Sequence, residues 1–257
     1  MDEPGKIIHS VDKAASLIEL MMRSNGPLTL KEIAALSGYP KSTIHGLLST
    51  LIAHEMIRQD AEGRYSLGIR LYECGRAVSS GWDISERTHP YIERLSSSVD
   101  AGAFIAYFDG ANVITIDRCT GGGSLQIIPE TGVRQPLHAT AQGKLFLATL
   151  PQKDALRLVR LKGMDQYTPH TINTPEDLAA DLSAIRIRGY AIEDGEHRVG
   201  LRAAAAPLRI GDSRIKYAVG IIGLFRRVSS DEFQSACGEL LKTAEEMEKE
   251  IGGGNRQ

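Results

Sequence analysis

Cysteine is scarce: Cys74, Cys119 and Cys237 are the only three in 257 residues. None forms a Cys-x-x-Cys pair, and the three are too scattered for a metal ribbon. Reduced thiols of a cytoplasmic protein are the expectation. Long apolar runs are also missing. The longest, around "AGAFIAYF" and "YAVGIIGLF", fall well short of the roughly 20 residues needed to span a bilayer. The opening "MDEPGKIIHS" is acidic and polar, unlike a signal peptide, which again points to the cytoplasm. Neither sign of charge dominates, with 30 Lys and Arg against 32 Asp and Glu for a net charge of −2. The bulk field therefore does not draw the chain to nucleic acid, and any such function must rest on local geometry. Internal repeats are absent, and low complexity is confined to the tail "GGGNRQ".

What is present is a chain of ordinary composition, 42% hydrophobic and 24% charged, with room for one large domain or two small ones. Val11, Ala14, Ala15, Leu17, Ile18 and Met21 recur at helical spacing until "SNGP" stops them. Thr29 with Glu32 is a capping-box signature, so a second helix begins near Leu30. "SGYP" breaks that helix, and Pro40 suits the first turn of a third, with Ile44, Leu47, Leu48, Leu51 and Ile52 as its apolar positions. "MIRQDAEGRYSLG" reads as a β-hairpin turning at Asp60 to Gly63, and "IRLYECGRAVSSG" as a connecting helix.

Beyond about Ser85 the pattern changes. A helix, "THPYIERLSSSVD", leads into extended stretches at Ala103 to Tyr107, Val113 to Asp117 and Leu125 to Ile128. Helical pieces follow at Ala139 to Leu150, Gln152 to Leu161 and Thr174 to Arg188. Further extended stretches lie at Ala191 to Glu193, Ala203 to Leu208 and Tyr217 to Leu224, before a closing helix from Ser230 to Ile251. Strands interleaved with helices predict an α+β second domain.

The stretch "LTLKEIAALSGYPKSTIHGLLSTL" has the features of a helix-turn-helix. A small residue, Ala34, stands where the helices cross, Gly38 makes the turn, and Ile44 anchors the second helix, with Ile33 and Leu47 adding core contacts. The second helix then offers Ser42, Thr43 and His45 to base edges in the major groove, and Lys41 to a phosphate. The hairpin would carry Arg58, Arg64 and Tyr65 as a wing over the DNA backbone or minor groove. Two capped helices with a small-residue contact also occur in domains that bind only protein.

Enzyme motifs fare worse in the second half. "HATAQGKL" has His138 and Leu145 where a phosphate-binding loop needs Gly and Ser or Thr. "TGGGS" is a turn between extended stretches, and neither Cys119 nor His138 sits in a cysteine-hydrolase signature. No two histidines have the helical spacing of a zinc site. The expectation is a protein that is not an enzyme and needs neither cofactor nor metal. The alternative, a small-molecule enzyme with a helical N-terminal module, would require a nucleophile, metal or cofactor signature.

The winged-helix stretch, together with "QPLHATAQGKLFLATLP" and "RGYAIEDGEHRVGLRAAAAPL", resembles the IclR family of bacterial transcriptional regulators over nearly the whole chain. The resemblance implies a winged helix-turn-helix DNA-binding domain at residues 1–68, a linker helix at 69–84 and a GAF-like effector-binding and oligomerisation domain at 85–257. It implies homodimers, or tetramers built from them, on double-stranded operator DNA, acting as repressor or activator with no membrane partner. It also implies a small-molecule cup lined by Ile127, Gln135, Ala141, Gln142, Glu193, Leu201, Ala203, Gly220 and Ile222.

Ala203 stands where members that bind small oxo-acids tend to carry a cysteine, and Gly220 and Ile222 stand where they carry serines. Polar partners are lost and Gly220 is expected to open room. An aromatic or phenolic ligand is therefore expected over pyruvate or glyoxylate, with Gln135, Gln142 and Glu193 as its polar contacts. Phe104, Tyr107 and His138 could add to the cup as well, although the core is the expected place of Phe104 and Tyr107, and a backbone hydrogen bond that of His138. Gly46 replaces the large polar or basic residue usual in the family's reading helix.

Overall fold

Turn formers that punctuate the first eighty residues separate three helices and a hairpin. The computed structural model describes residues 7–80, 83–122, 129–210 and 215–252, and the chain divides into two units, Met1–Asp83 and Ile84–Gln257. In the first unit α1 spans His9–Met22, α2 Leu30–Ser37 and α3 Lys41–Ala53. The hairpin strands β1 (Ile57–Gln59) and β2 (Tyr65–Leu67) follow, then α4 (Ile69–Ser80). The capping box forms as its spacing predicts. Thr29 Oγ1 accepts the Glu32 N–H at 3.3 Å, and Glu32 accepts the Thr29 N–H at 2.7 Å. Gly38 ends α2 at φ 71°, a left-handed conformation that costs glycine little.

The apolar faces meet in one cluster, in which Leu17, Met21, Ile33, Ile44, Leu48, Leu51 and Ile57 are buried. Tyr65 belongs to that cluster at 7% exposed, and its backbone pairs with Leu28. Tyr65 sits on the hairpin as expected, but strand alternation turns its ring into the core, so it offers no surface to DNA, while Arg64 and Ser66 point away.

The second unit is built on a six-stranded antiparallel sheet in the order β5-β4-β3-β8-β7-β6. Its strands are β3 (Gly102–Phe108), β4 (Val113–Cys119), β5 (Arg134–Gln135), β6 (Ala191–Asp194), β7 (Arg202–Leu208) and β8 (Tyr217–Gly223). The short β5 has no apolar alternation to announce it. The extended stretch expected at Leu125 to Ile128 lies outside the described residues. Helix α5 spans Asp83–Val99 and runs through Pro90, starting earlier than "THPYIERLSSSVD" suggests.

Alternation divides the sheet residues between two faces. Phe104, Ala106, Phe108, Ala203, Ala205 and Ala218 join α6 (Ala141–Thr149), α7 (Gln152–Lys162) and α8 (Pro175–Arg188) in one core cluster. Ile105, Ala204, Ala206 and Ile221 are buried on the other side, where α9 (Asp231–Gly252) packs on β7 and β8. Arg87 donates to the Ile251 carbonyl at 2.9 Å and Arg94 to Glu246 at 3.3 Å, which joins α5 to α9. The alanine run of β7 lets helices approach closely from both sides.

Two helical glycines differ in what surrounds them. A Cβ on Gly143 would lie 2.6 Å from the carbonyl oxygens of Pro136 and Leu137, so α6 packs there against bare backbone. A Cβ on Gly46 in α3 would meet nothing within 4 Å. The same substitution should therefore act in opposite directions. Gly143→Ala should lower stability by about 1–3 kcal/mol through overpacking, and Gly46→Ala should raise it by about 0.5–1 kcal/mol. Urea unfolding of the two variants checks both signs, and a stable Gly143→Ala protein would contradict this packing.

Candidate nucleic-acid interface and ligand pocket

Helix α3 is buried on one face and open at its front. Ile44, Leu48 and Leu51 hold it to the core, whereas Lys41, Ser42, His45 and Gly46 are exposed and Thr43 is half-buried. Pro40 precedes it as an N-cap that supplies no side-chain acceptor, so no cap side chain engages the first-turn N–H groups. An uncapped helix N-terminus with hydroxyls beside it suits an anionic, hydrogen-bonding partner. Ser49 and Thr50 turn their hydroxyls back onto the His45 and Gly46 carbonyls, at 2.9 and 3.1 Å.

The hairpin contributes less cationic surface than its sequence suggests. Arg64 donates to Asp60 at 2.8 Å and to Glu62 at 3.2 Å, so the turn's own acids offset its charge. The Arg64 N–H, helped by the Arg64 guanidinium and the Glu62 N–H, holds the Asp60 carboxyl below the usual carboxylate range. Arg58 is exposed, with Nε 2.9 Å from Ser66 Oγ.

In the second unit a cavity of about 360 Å³ opens between the chain around β5, the start of α6 and the loop that follows β6. Five expected residues line it: Gln135, Gln142, Glu193, Leu201 and Ile222. Three do not. Ala141 and Ala203 are buried within the core cluster. Gly220 opens no room, because a Cβ there would lie 2.2 Å from Phe104 Cζ; the phenyl ring of the neighbouring strand already fills the space. Ile127 lies outside the described residues. His138 is buried with Nε2 3.0 Å from the Asp165 carbonyl, the backbone contact expected of it. Phe104 is fully buried core, and Tyr107 packs on Tyr217 with ring centroids 5.4 Å apart.

Sequence reading missed Arg134, Tyr167, His197 and Arg198 in the lining. The quoted motif "EDGEHRVGLR" contains two of them, but only the fold of that loop turns them inward. A buried ion cluster holds the loop: Lys144 Nζ lies 2.5 Å from Glu196 and 2.8 Å from Asp181. Thr168 and Thr171 hydroxyls donate to the Gly195 and Glu196 carbonyls at 2.7 and 2.6 Å. The His197 N–H then donates to Glu193 Oε1 at 3.1 Å.

Burial pushes the Glu193 carboxyl up to about 7, with Glu196 adding to the rise and the His197 N–H opposing it. Burial and the nearby Arg198 push the His197 imidazole down. Near neutral pH the Glu193 carboxyl is therefore only partly ionised, and the rim carries Arg134, Arg198 and Glu130, all exposed. The chemistry favours holding a ligand. Cys119 Sγ lies 4.0 Å from both nitrogens of His89, and burial, Asp117 and Glu93 push its thiol up, away from the thiolate a nucleophile needs.

Comparison with known proteins agrees at both ends of the chain. Residues 10–61 match the IclR helix-turn-helix domain, and residues 76–249 match the bacterial transcriptional regulator IclR C-terminal. The chain is 30% identical over 247 residues to the HTH-type transcriptional regulator XynR of Escherichia coli (strain K12), covering 96% of this chain and 98% of that protein. It is 29% identical over 249 residues to the transcriptional repressor IclR of the same organism, covering 96% and 91%. The fold is similar to that of an IclR homolog from Microbacterium hydrocarbonoxydans complexed with 4-hydroxybenzoate. There the TM-score is 0.79 at 19% identity, over 94% of this chain and 98% of the other.

Because Glu193 binds its proton more tightly when folded, the stability this proton brings is present below the unfolded pKa near 4.5. It is lost as pH rises towards the folded value of about 7. Glu193→Gln removes that loss. The variant should gain on the parent by about 2–4 kcal/mol between pH 5 and pH 8. Parallel urea denaturation at the two pH values tests this, and an unchanged difference would contradict it.

Proposed function

The chain belongs to the IclR family of bacterial transcriptional regulators, and on that premise we propose which of its surfaces bind DNA and effector. It is a DNA-binding regulator whose relatives are transcriptional regulators rather than enzymes. On our reading the front of α3 enters the major groove. Ser42, Thr43 and His45 face base edges, the first-turn N–H groups and Lys41 meet phosphate, and Arg58 reaches the backbone. The observation that carries this is the open, uncapped start of a helix whose opposite face is locked into the core. Gly46 then permits close approach where a long side chain would hold the helix off.

One head reads too few base pairs for selectivity, so the working unit on this reading is a homodimer on a two-fold-symmetric site. Ile69, Tyr72 and Val78 of α4 are exposed, as are Ile8 and Val11 at the start of α1. Apolar positions of this kind fit a self-complementary contact with a second copy. The working compartment, on this reading, is the cytoplasm.

The cavity is the effector site. Leu201 and Ile222 offer apolar surface to a ring, Arg134 and Arg198 attract a carboxylate, and Gln142 and Glu193 meet a hydroxyl. A fold relative complexed with 4-hydroxybenzoate supports an aromatic acid of that class. Ligand and DNA would be coupled by about 1–3 kcal/mol, enough to change operator occupancy severalfold.

Two measurements test these assignments. On a duplex selected from a random pool, Ser42→Ala/Thr43→Ala should bind at least tenfold more weakly than the parent, and affinity within twofold would contradict the reading edge. In calorimetric titration, 4-hydroxybenzoate should bind at least tenfold more tightly than pyruvate, and Arg198→Ala should weaken it. The reverse order of the two ligands would contradict the pocket assignment.

A further inference from the structure

We infer that the side-chain amide of Gln142 is the specificity-determining group of the pocket. It selects an aromatic acid whose far end carries a neutral group able both to accept and to donate a hydrogen bond, as a phenolic hydroxyl does. The inference rests on the cavity being the effector site. Among the described residues, three polar side chains of the lining are buried: Thr140, Gln142 and Glu193. Two of them already have protein partners. The Thr140 hydroxyl donates to the Pro136 carbonyl at 2.7 Å and accepts the Gly143 N–H at 3.2 Å. Glu193 Oε1 accepts the His197 N–H at 3.1 Å. Gln142 is the exception. Only 3% of the residue is exposed, yet among the described residues its amide makes no hydrogen bond. Neither amide atom is sealed off within the protein, so the donor end and the acceptor end both meet the space of the cavity that Gln142 lines.

The backbone that carries this amide is held on both sides. Thr140 caps α6, Gly143 packs on the backbone of Pro136 and Leu137, and Lys144 is locked between Asp181 and Glu196. Gln142 therefore keeps its place in the wall. A ligand that fills the cavity takes water away from both ends of the amide. A buried donor or acceptor left unpaired loses more than a made bond returns, so the ligand must replace what it displaces. A hydroxyl does this, because it accepts from the amide N–H and has a proton of its own to give to the amide oxygen or to Glu193. A methyl group replaces neither bond. A second carboxylate accepts but cannot donate, and it sets another negative charge in the wall that holds Glu193. The exposed Arg134 and Arg198 draw the ligand's own carboxylate to the rim. The inner amide then meets the opposite end of the ring, which suits a para-hydroxyl.

Calorimetric titration of the full-length protein with 4-hydroxybenzoate and with 4-methylbenzoate, which has a methyl group in place of the hydroxyl, tests this. The proteins are the parent, Gln142→Met and Gln142→Leu. Both substitutions keep a side chain of similar size without its polar atoms. Thermal unfolding confirms that each protein is folded, and either variant suffices. The parent should bind the hydroxy acid about tenfold or more tightly than the methyl acid. In a folded variant the two affinities should come within about threefold of each other, through loss of affinity for the hydroxy acid alone. Arg198→Ala should weaken both acids alike, because it meets the carboxylate they share. A folded variant that keeps the parent's preference, or that loses both acids equally, overturns the assignment of Gln142 and leaves the effector site standing. A parent that binds the two acids equally overturns it as well. Binding of neither acid by the parent overturns the reading of the effector class, and this inference with it.

Discussion

A buried ammonium is the constraint around which the larger unit is arranged. Lys144 reaches from α6 between Asp181 of α8 and Glu196 of the loop after β6, with only 2% of its side chain exposed. Taking away one member of a buried charged cluster typically costs about 3–5 kcal/mol, because the remaining charge is left without compensation. The three elements are therefore tied at one point, and the consequence is local to the pocket. Glu196 is fixed three residues from Glu193 and next to His197, so the ion cluster sets the backbone that carries the polar lining. The two threonines that bond the Gly195 and Glu196 carbonyls strengthen the same anchor.

The two units solve opposite problems with similar means. In the first, apolar residues on three short helices fix α3 from behind and leave its polar front open to a partner. In the second, side chains from the sheet, the start of α6 and the connecting loops enclose a small cavity and place polar groups at its wall. Glu193 shows how that wall can remain polar at lower electrostatic cost: burial raises its carboxyl to about 7, so its neutral form is well populated near neutral pH. Rim arginines supply the positive charge, where solvent keeps it affordable.

Much of this was legible in the sequence where neighbours along the chain decide the outcome. Thr29 and Glu32 announce a capping box because both partners lie within one helical turn, and Gly38 announces a left-handed helix end for the same reason. The apolar spacing of Ile44, Leu48 and Leu51 also marks the buried side of α3. The pocket was legible in part: Gln135, Gln142, Glu193, Leu201 and Ile222 line it. What failed depended on register and on loop shape. Gly220 looks like empty space until β3 is paired with β8 and Phe104 falls opposite it. Tyr65 looks like a wing residue until alternation sends it inward, and Arg64 looks like a free cation until its turn brings Asp60 and Glu62 against it. Arg198 and Tyr167 could be found only once the loop held by Glu196 was in place.

The central claim is that ligand in the second unit changes how the first grips DNA. The most direct measurement is fluorescence anisotropy of a labelled, selected duplex titrated with the full-length protein, with and without saturating 4-hydroxybenzoate. The account predicts that the midpoint shifts by about fivefold or more, in line with a coupling of at least 1 kcal/mol. A midpoint that stays the same while calorimetry shows the ligand bound would contradict it.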